Sequence, residues 1–202
     1  MRIFLTLFVA ISLWLGSNAE KPNIVIIFTD DQGYADLGCY GSKTNKTPRL
    51  DQLAKEGTMF TSFYTQAVCG PSRSALLTGR YPCRSKGWGM PASEITFAEL
   101  IKGAGYQTAC IGKWDVSNRK PIIDRMPNAQ GFDYFFGALG ANDPGTIKFH
   151  LNNEAAGTSK DMGGLTTLYT DKSIDFLKNK RDPKKPFILY LAHTMMHTII
   201  DA

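Results

Sequence analysis

The chain has 202 residues, 43% of them hydrophobic, and a formal net charge of +5. Its lysines and arginines are spread over many segments with no basic block, which suits an anionic substrate and argues against a nucleic-acid reader, whose charge gathers on one face. The four cysteines, Cys39, Cys69, Cys83 and Cys110, are too few and too scattered for a disulfide scaffold and lack the close paired spacing of a zinc site.

In chain order, residues 1–19 come first: an early Arg2, an apolar run from Ile3 to Leu15, and small residues Ser17 and Ala19 at the positions a signal peptidase reads. This is the pattern of a secretory signal cut after Ala19, with an apolar run too short to stay as a membrane span. No later run approaches the length a bilayer requires, so the sequence predicts an exported chain, secreted or periplasmic, of about 180 residues, enough for one core.

PNIVIIFTDD (22–31) reads as a central parallel strand buried on both faces, stopping at two carboxylates. TPRLDQLAKEG (47–57) has the signals of a helix: Thr47 as cap, Pro48 in the first turn, Leu50, Leu53 and Ala54 on one face, Gly57 as terminator. MFTSFYT (59–65) alternates like a strand. PSRSALLTG (71–79) is predicted as a short helix and SEITFAELIKGAG (93–105) as an amphipathic one. YQTACIGKW (106–114) is a second strand, ending in charge at Lys113 and Asp115. Residues 117–164, rich in Gly, Asn, Asp and Pro, read as loops over the sheet with short strands that the pattern does not place. LTTLYTDKSIDFLKNK (165–180) is a further helix, and PFILYLAHTMMH (186–197) a third apolar strand ending near His193 and His197.

Strands alternating with helices imply an α/β fold: a mostly parallel, mixed central sheet sandwiched by helices, with chemistry beyond the carboxyl ends of the strands. The apolar strands end at Asp30 and Asp31, at Lys113 and at His197. Adjacent carboxylates at the end of a buried strand call for a compensating cation, and a hard divalent metal suits their oxygens. Lys113 offers a point charge for a sulfuryl or phosphoryl oxygen. Cys69 precedes a helix start, where exposed N–H groups and Arg73 one turn on favour an anion, so its thiol is expected to have a lowered pKa. A free thiolate in an exported protein would be oxidised, which suggests that Cys69 is not used as a thiol.

CGPSRSALLTGR (69–80) matches C-x-P-S-R-x-x-x-L-T-G-R at every fixed position, and GYQTACIGKW (105–114) is similar to a second signature of the same family, the sulfatases. IVIIFTDDQGYADLGCYG and TPRLDQLAKEGTMFTSFYT look like the first strand and first helix of that family, so the resemblance covers nearly the whole chain after residue 19. It implies an alkaline-phosphatase-like sulfatase fold, with residues 20–202 as the truncated N-terminal part of the catalytic domain and the C-terminal part absent. It also implies that Cys69 is oxidised during export to formylglycine by a formylglycine-generating enzyme, whose hydrate attacks sulfur on one divalent cation, calcium before magnesium. By matching position, Asp30, Asp31 and the modified Cys69 would be metal ligands. Arg73 would hold the nucleophile, Lys113 would bind sulfate oxygens, and His197 would contact the sulfate or the leaving oxygen. Asp115 stands where the family has a histidine that assists breakdown of the intermediate; a carboxylate accepts a proton but cannot donate as imidazolium does.

The expected activity is hydrolysis of sulfate esters, on sulfated carbohydrates, polysaccharides or aryl sulfates, with neither nucleic acid nor a stable membrane span involved. The alternatives are a phosphonate or phosphate-ester hydrolase of the same superfamily, or an inactive exported binding protein. Asn45 opens a glycosylation sequon, informative only in a eukaryotic host.

Overall fold

The computed structural model describes residues 20–198; the signal peptide expected at 1–19 lies outside them. Among the described residues the strands are β1 (Ile24–Phe28), β2 (Gln107–Lys113), β3 (Tyr134–Ala138), β4 (Ile147–Leu151), β5 (Glu154–Ser159) and β6 (Phe187–Ala192). They form one sheet in the order β1-β6-β2-β3-β4-β5, parallel from β1 to β3 and antiparallel through β4 and β5. The helices are α1 (Pro48–Glu56), α2 (Cys69–Thr78), α3 (Pro82–Ser85), α4 (Phe97–Gly103) and α5 (Leu165–Asp175), the last running into a π-helical turn over Phe176–Lys180. Among the described residues no helix is long and apolar enough to cross a membrane.

The fold follows from strands that are apolar on both sides. In β2 and β6, Ala109, Ile111, Phe187, Leu189 and Leu191 face a core closed by Leu165, Tyr169 and Phe176 of α5 and its extension. The alternate residues Cys110, Tyr190 and Ala192 face a second core with Leu77 of α2, Ala98 of α4, Trp114 and Phe132. Burial of each large apolar side chain contributes about 1.5–3 kcal/mol, which makes these two layers the main stabilising element. α4 begins with a capping box: Thr96 Oγ1 accepts from Glu99 N, and Thr96 N donates to the Glu99 carboxylate at 2.8 Å.

Two expectations are corrected, and two open readings are resolved. β1 is an edge strand of the described sheet, not a central one; Ile26 and Phe28 pack on the second core while Val25 and Ile27 stay 50% and 57% exposed, because α5 covers β2 and β6 but not β1. Residues 59–65 form no strand: no neighbouring strand offers a ladder, and Phe60, Phe63 and Tyr64 remain exposed. Residues 117–164 contain three strands, of which β4 and β5 make a hairpin on the far edge. The four cysteines, whose pairing the sequence left open, are all free.

Candidate active site

Each fixed letter of residues 69–80 has a local task. α2 starts at Cys69, two residues earlier than predicted, so Cys69 lies in its first turn and Pro71 falls where no helical N–H is needed. Ser72 Oγ bonds the Gln66 and Val68 carbonyls and receives Gln66 N, tying the preceding loop to the helix. Arg73 points inward with no exposed surface; Leu77 enters the core. Thr78 bonds back to the Ser74 carbonyl at 2.7 Å, and Arg80 grips Glu94 with Nη1 at 2.7 and 2.9 Å from its two oxygens. Gly70 inside the motif also has a reason: any Cβ there would run into the Trp88 ring.

The second signature supplies the other wall. Gly112 has φ 113°, and a Cβ there would overlap the carbonyl of Ala192 in β6, so only glycine lets β2 deliver Lys113 at this height. Lys113 is fully buried; its ammonium lies 2.6 Å from Asp30 Oδ2 and 3.7 Å from Asp115 Oδ2. Arg73 reaches Asp30 Oδ1 at 3.5 Å and donates to the carbonyls of Lys113 (3.1 Å) and His193 (3.2 Å) and to the Tyr190 hydroxyl (3.4 Å). Its guanidinium also sits 5.3 Å over the Phe28 ring. Burial works against the charge on Arg73, but Tyr190, Asp30 and Asp115 outweigh it, so it stays a cation. The ends of β1, β2 and β6 and the start of α2 thus converge on one charged cluster.

Cys69 is within hydrogen-bonding reach of both Lys113 and Asp115. The expectation of a lowered thiol pKa is corrected. Burial pushes it up, Lys113 pulls it down, and Asp115 pushes it up again, with burial prevailing. A thiolate is therefore disfavoured here, whereas an oxygen at the same position would meet a donor on one side and an acceptor on the other.

Asp115 is fully buried and held by three groups: Arg119 Nε at 2.9 Å, Trp88 Nε1 at 3.1 Å and the Lys113 ammonium. Arg119 also reaches Asp143 at 3.5 Å, and Asp143 lies 3.4 Å from His197 Nε2, which is 3.8 Å from Asp31. His197 thus stands at the rim, on the exposed Asp31, and not inside the buried cluster. The sequence reading missed Trp88 and Arg119. The i, i+4 spacing of Asp115 and Arg119 was a usable signal, though here it is spanned by a turn with positive φ at Asp115, Asn118 and Arg119.

A cavity of about 240 Å³ lies between Asp30, Asp31, Gln32, Cys69 and Ser72. Both oxygens of Asp30 already face cations, and among the described residues no group of three His, Cys, Asp or Glu side chains gathers to hold a metal. Calcium takes six to eight oxygens. The described residues therefore do not complete the divalent-cation centre that the resemblance implies.

With this geometry in place, the comparisons decide the family. The family model described as Sulfatase matches residues 22–202. The chain belongs to the sulfatase family. N-acetylgalactosamine-6-sulfatase of Rattus norvegicus is 32% identical over 235 aligned residues, covering 100% of this chain and 44% of the relative. Arylsulfatase A of Homo sapiens is 46% identical over 214, covering 89% and 42%. Among solved structures, Ps i-CgsB in complex with k-i-k-neocarrahexaose superposes with a TM-score of 0.80 at 31% identity, over 91% of this chain and 47% of that one. BT4656, solved with its substrate D-glucosamine-2-N,6-O-disulfate, gives 0.76 at 32%, over 89% and 35%. The sulfatase chain described here thus has the mixed, mostly parallel sheet of an alkaline-phosphatase-like fold and spans less than half the length of these relatives.

Proposed function

We propose that this sulfatase chain carries the nucleophile-bearing portion of a sulfuric ester hydrolase, exported through residues 1–19 and acting on sulfated carbohydrates or aryl sulfates. The observation that supports it is the setting of Cys69, in the first turn of α2, between the Lys113 ammonium and the Asp115 carboxylate and on one cavity with Asp30 and Asp31. The sulfated sugar bound by BT4656 and the names of the curated relatives support the substrate class.

Formylglycine at position 69 supplies an oxygen nucleophile where a thiol is held protonated. The chain's own residues then do the following. Lys113 places a buried positive charge beside residue 69, where it attracts sulfate oxygens without having to be organised at the moment of reaction. Asp115 accepts a hydrogen bond from residue 69, and Arg119 and Trp88 hold that carboxylate in register. Arg73 does not reach outward. It locks Asp30 and the backbone carbonyls of Lys113 and His193, so that β1, β2 and β6 end at fixed positions. His197, at the rim between Asp31 and Asp143, faces an incoming ester.

The test is the mass of the peptide spanning residue 69 after export from a host containing the formylglycine-generating enzyme. An aldehyde in place of the thiol is expected; a thiol left intact removes the nucleophile and leaves a retained fold without the chemistry. Turnover of matched sulfate and phosphonate esters by the aldehyde form then separates the sulfatase reading from a phosphonate hydrolase, with sulfate expected to be preferred.

A further inference from the structure

A second cavity, of about 590 Å³, opens on the other side of Arg119 from Cys69. Its position follows from the sheet. Trp114 N donates to the Ala138 carbonyl at 2.8 Å, so the end of β3 and the chain that follows it lie directly beside Lys113 and Asp115. Its apolar lining comes from Pro121, Ala138, Leu139, Ala141, Pro144 and Ile147. The charged residues of its lining are Arg119 and Lys148, and no carboxylate belongs to it. Asp143, next to Pro144 of the lining, is engaged by Arg119 and His197. His150 completes the lining; burial lowers its pKa against a smaller upward pull from the Lys148 backbone, so at neutral pH it is an uncharged ring.

Two features suit this space to a sugar ring bearing a negative charge. Its size lies within the roughly 300–1,000 Å³ of small-molecule sites, and its lining combines apolar side chains with a few polar groups. Arg119 is divided between the two cavities. Its stem lies on Gly140, its Nε is taken by Asp115 and its Nη1 by Asp143, while its Nη2 has no bond among the described residues. Lys148, on β4, also lines the cavity, is exposed and has no ion pair among the described residues. Two cations on one cavity, one of which also holds Asp115 beside a site read as sulfate-binding, favour a ligand with two anions.

We infer that this cavity is a subsite for a second anionic group beside the scissile sulfate, so that the substrate is a saccharide carrying at least two negative charges. This rests on the sulfatase reading above and deepens it. A uronate carboxylate and a second sulfate share the chemistry that the two cations recognise.

The experiment measures binding by calorimetry, using the aldehyde-bearing protein and four probes: a 6-O-sulfated N-acetylhexosamine, the same sugar joined to a uronic acid, the same disaccharide with the uronate reduced to an alcohol, and a disulfated disaccharide lacking uronate. The dianionic probes are expected to bind at least about ten-fold tighter than the two monoanionic ones, as one charge-assisted hydrogen bond allows. The tighter of the two dianions identifies the second group. Lys148→Gln should reduce that preference several-fold and Lys148→Glu should abolish it, with thermal midpoints confirming that both variants fold. Equal affinity for all four sugars overturns the subsite and leaves the sulfatase reading intact. Absence of binding to every sulfated sugar overturns that reading, and the subsite with it.

Discussion

Asp30 carries more than its share of the site, because it is the common counter-ion of two buried cations, Lys113 and Arg73. Removing one partner of such a group strands the others in a low-dielectric interior at a cost of about 3–5 kcal/mol. Asp30→Asn should therefore lower the thermal midpoint by roughly 6 °C or more, at about 2–4 °C per kcal/mol for a chain of this size. A midpoint within about 2 °C of the parent would show that the two cations find other compensation. The sequence showed which residue types end the strands but not how their charges are shared. Asp30 and Asp31 look alike on paper, yet one is buried on two cations and the other has a side chain 59% exposed, with φ 58°. Asp115 was legible as a departure from the family pattern. Of its partners, Arg119 was marked only by its i, i+4 spacing, and Trp88 not at all, since nothing in GWG shows which buried acid it will meet.

At the scale of elements, the helices were read well and the strands unevenly. α1 and α2 announce themselves through Pro48 and Pro71 in their first turns and the glycines that follow them, and α4 through its capping box, all of which act locally; α5 was placed by its pattern too, but its last turn is π-helical. β2 and β6 were legible as apolar runs. β3 and β5 were not, because YFFGA is too short to show a period and EAAGTS lacks the β-branched residues that mark a strand. The β2 glycine offers a test of how tightly the strands converge. Gly112→Ala places a methyl group against the Ala192 carbonyl in a backbone conformation that only glycine adopts comfortably, and should cost about 3 kcal/mol. Gly103→Ala, at the end of α4 with open space around it, should instead be neutral or stabilise by up to about 1 kcal/mol. Urea midpoints of the two variants moving in the same direction would contradict this account.

For the molecule as a whole, the unsatisfied surface is β1. Val25 and Ile27 stand half exposed on a strand whose outer edge has no partner among the described residues, and such an edge is a template for self-association. The 202-residue chain alone should therefore bind a hydrophobic dye strongly and sediment as a mixture at micromolar concentration. Lysine at both positions should reduce the dye signal and restore a single species; no change in either would locate the sticky surface elsewhere. The burial of Arg73 has a consequence of another kind, which concerns timing. On the proposed reading, the maturation enzyme must grasp Cys69 and Arg73 on an extended strand of chain. Once folded, that guanidinium is sealed by partners lying 40, 117 and 120 residues further along. At about 5–20 residues per second of synthesis, the last two of those partners follow Arg73 off the ribosome by roughly 6–24 s. The fold thus sets a deadline for its own activation: on this reading, a chain that reaches Tyr190 and His193 unmodified has already sealed Arg73 away from that enzyme and stays inert.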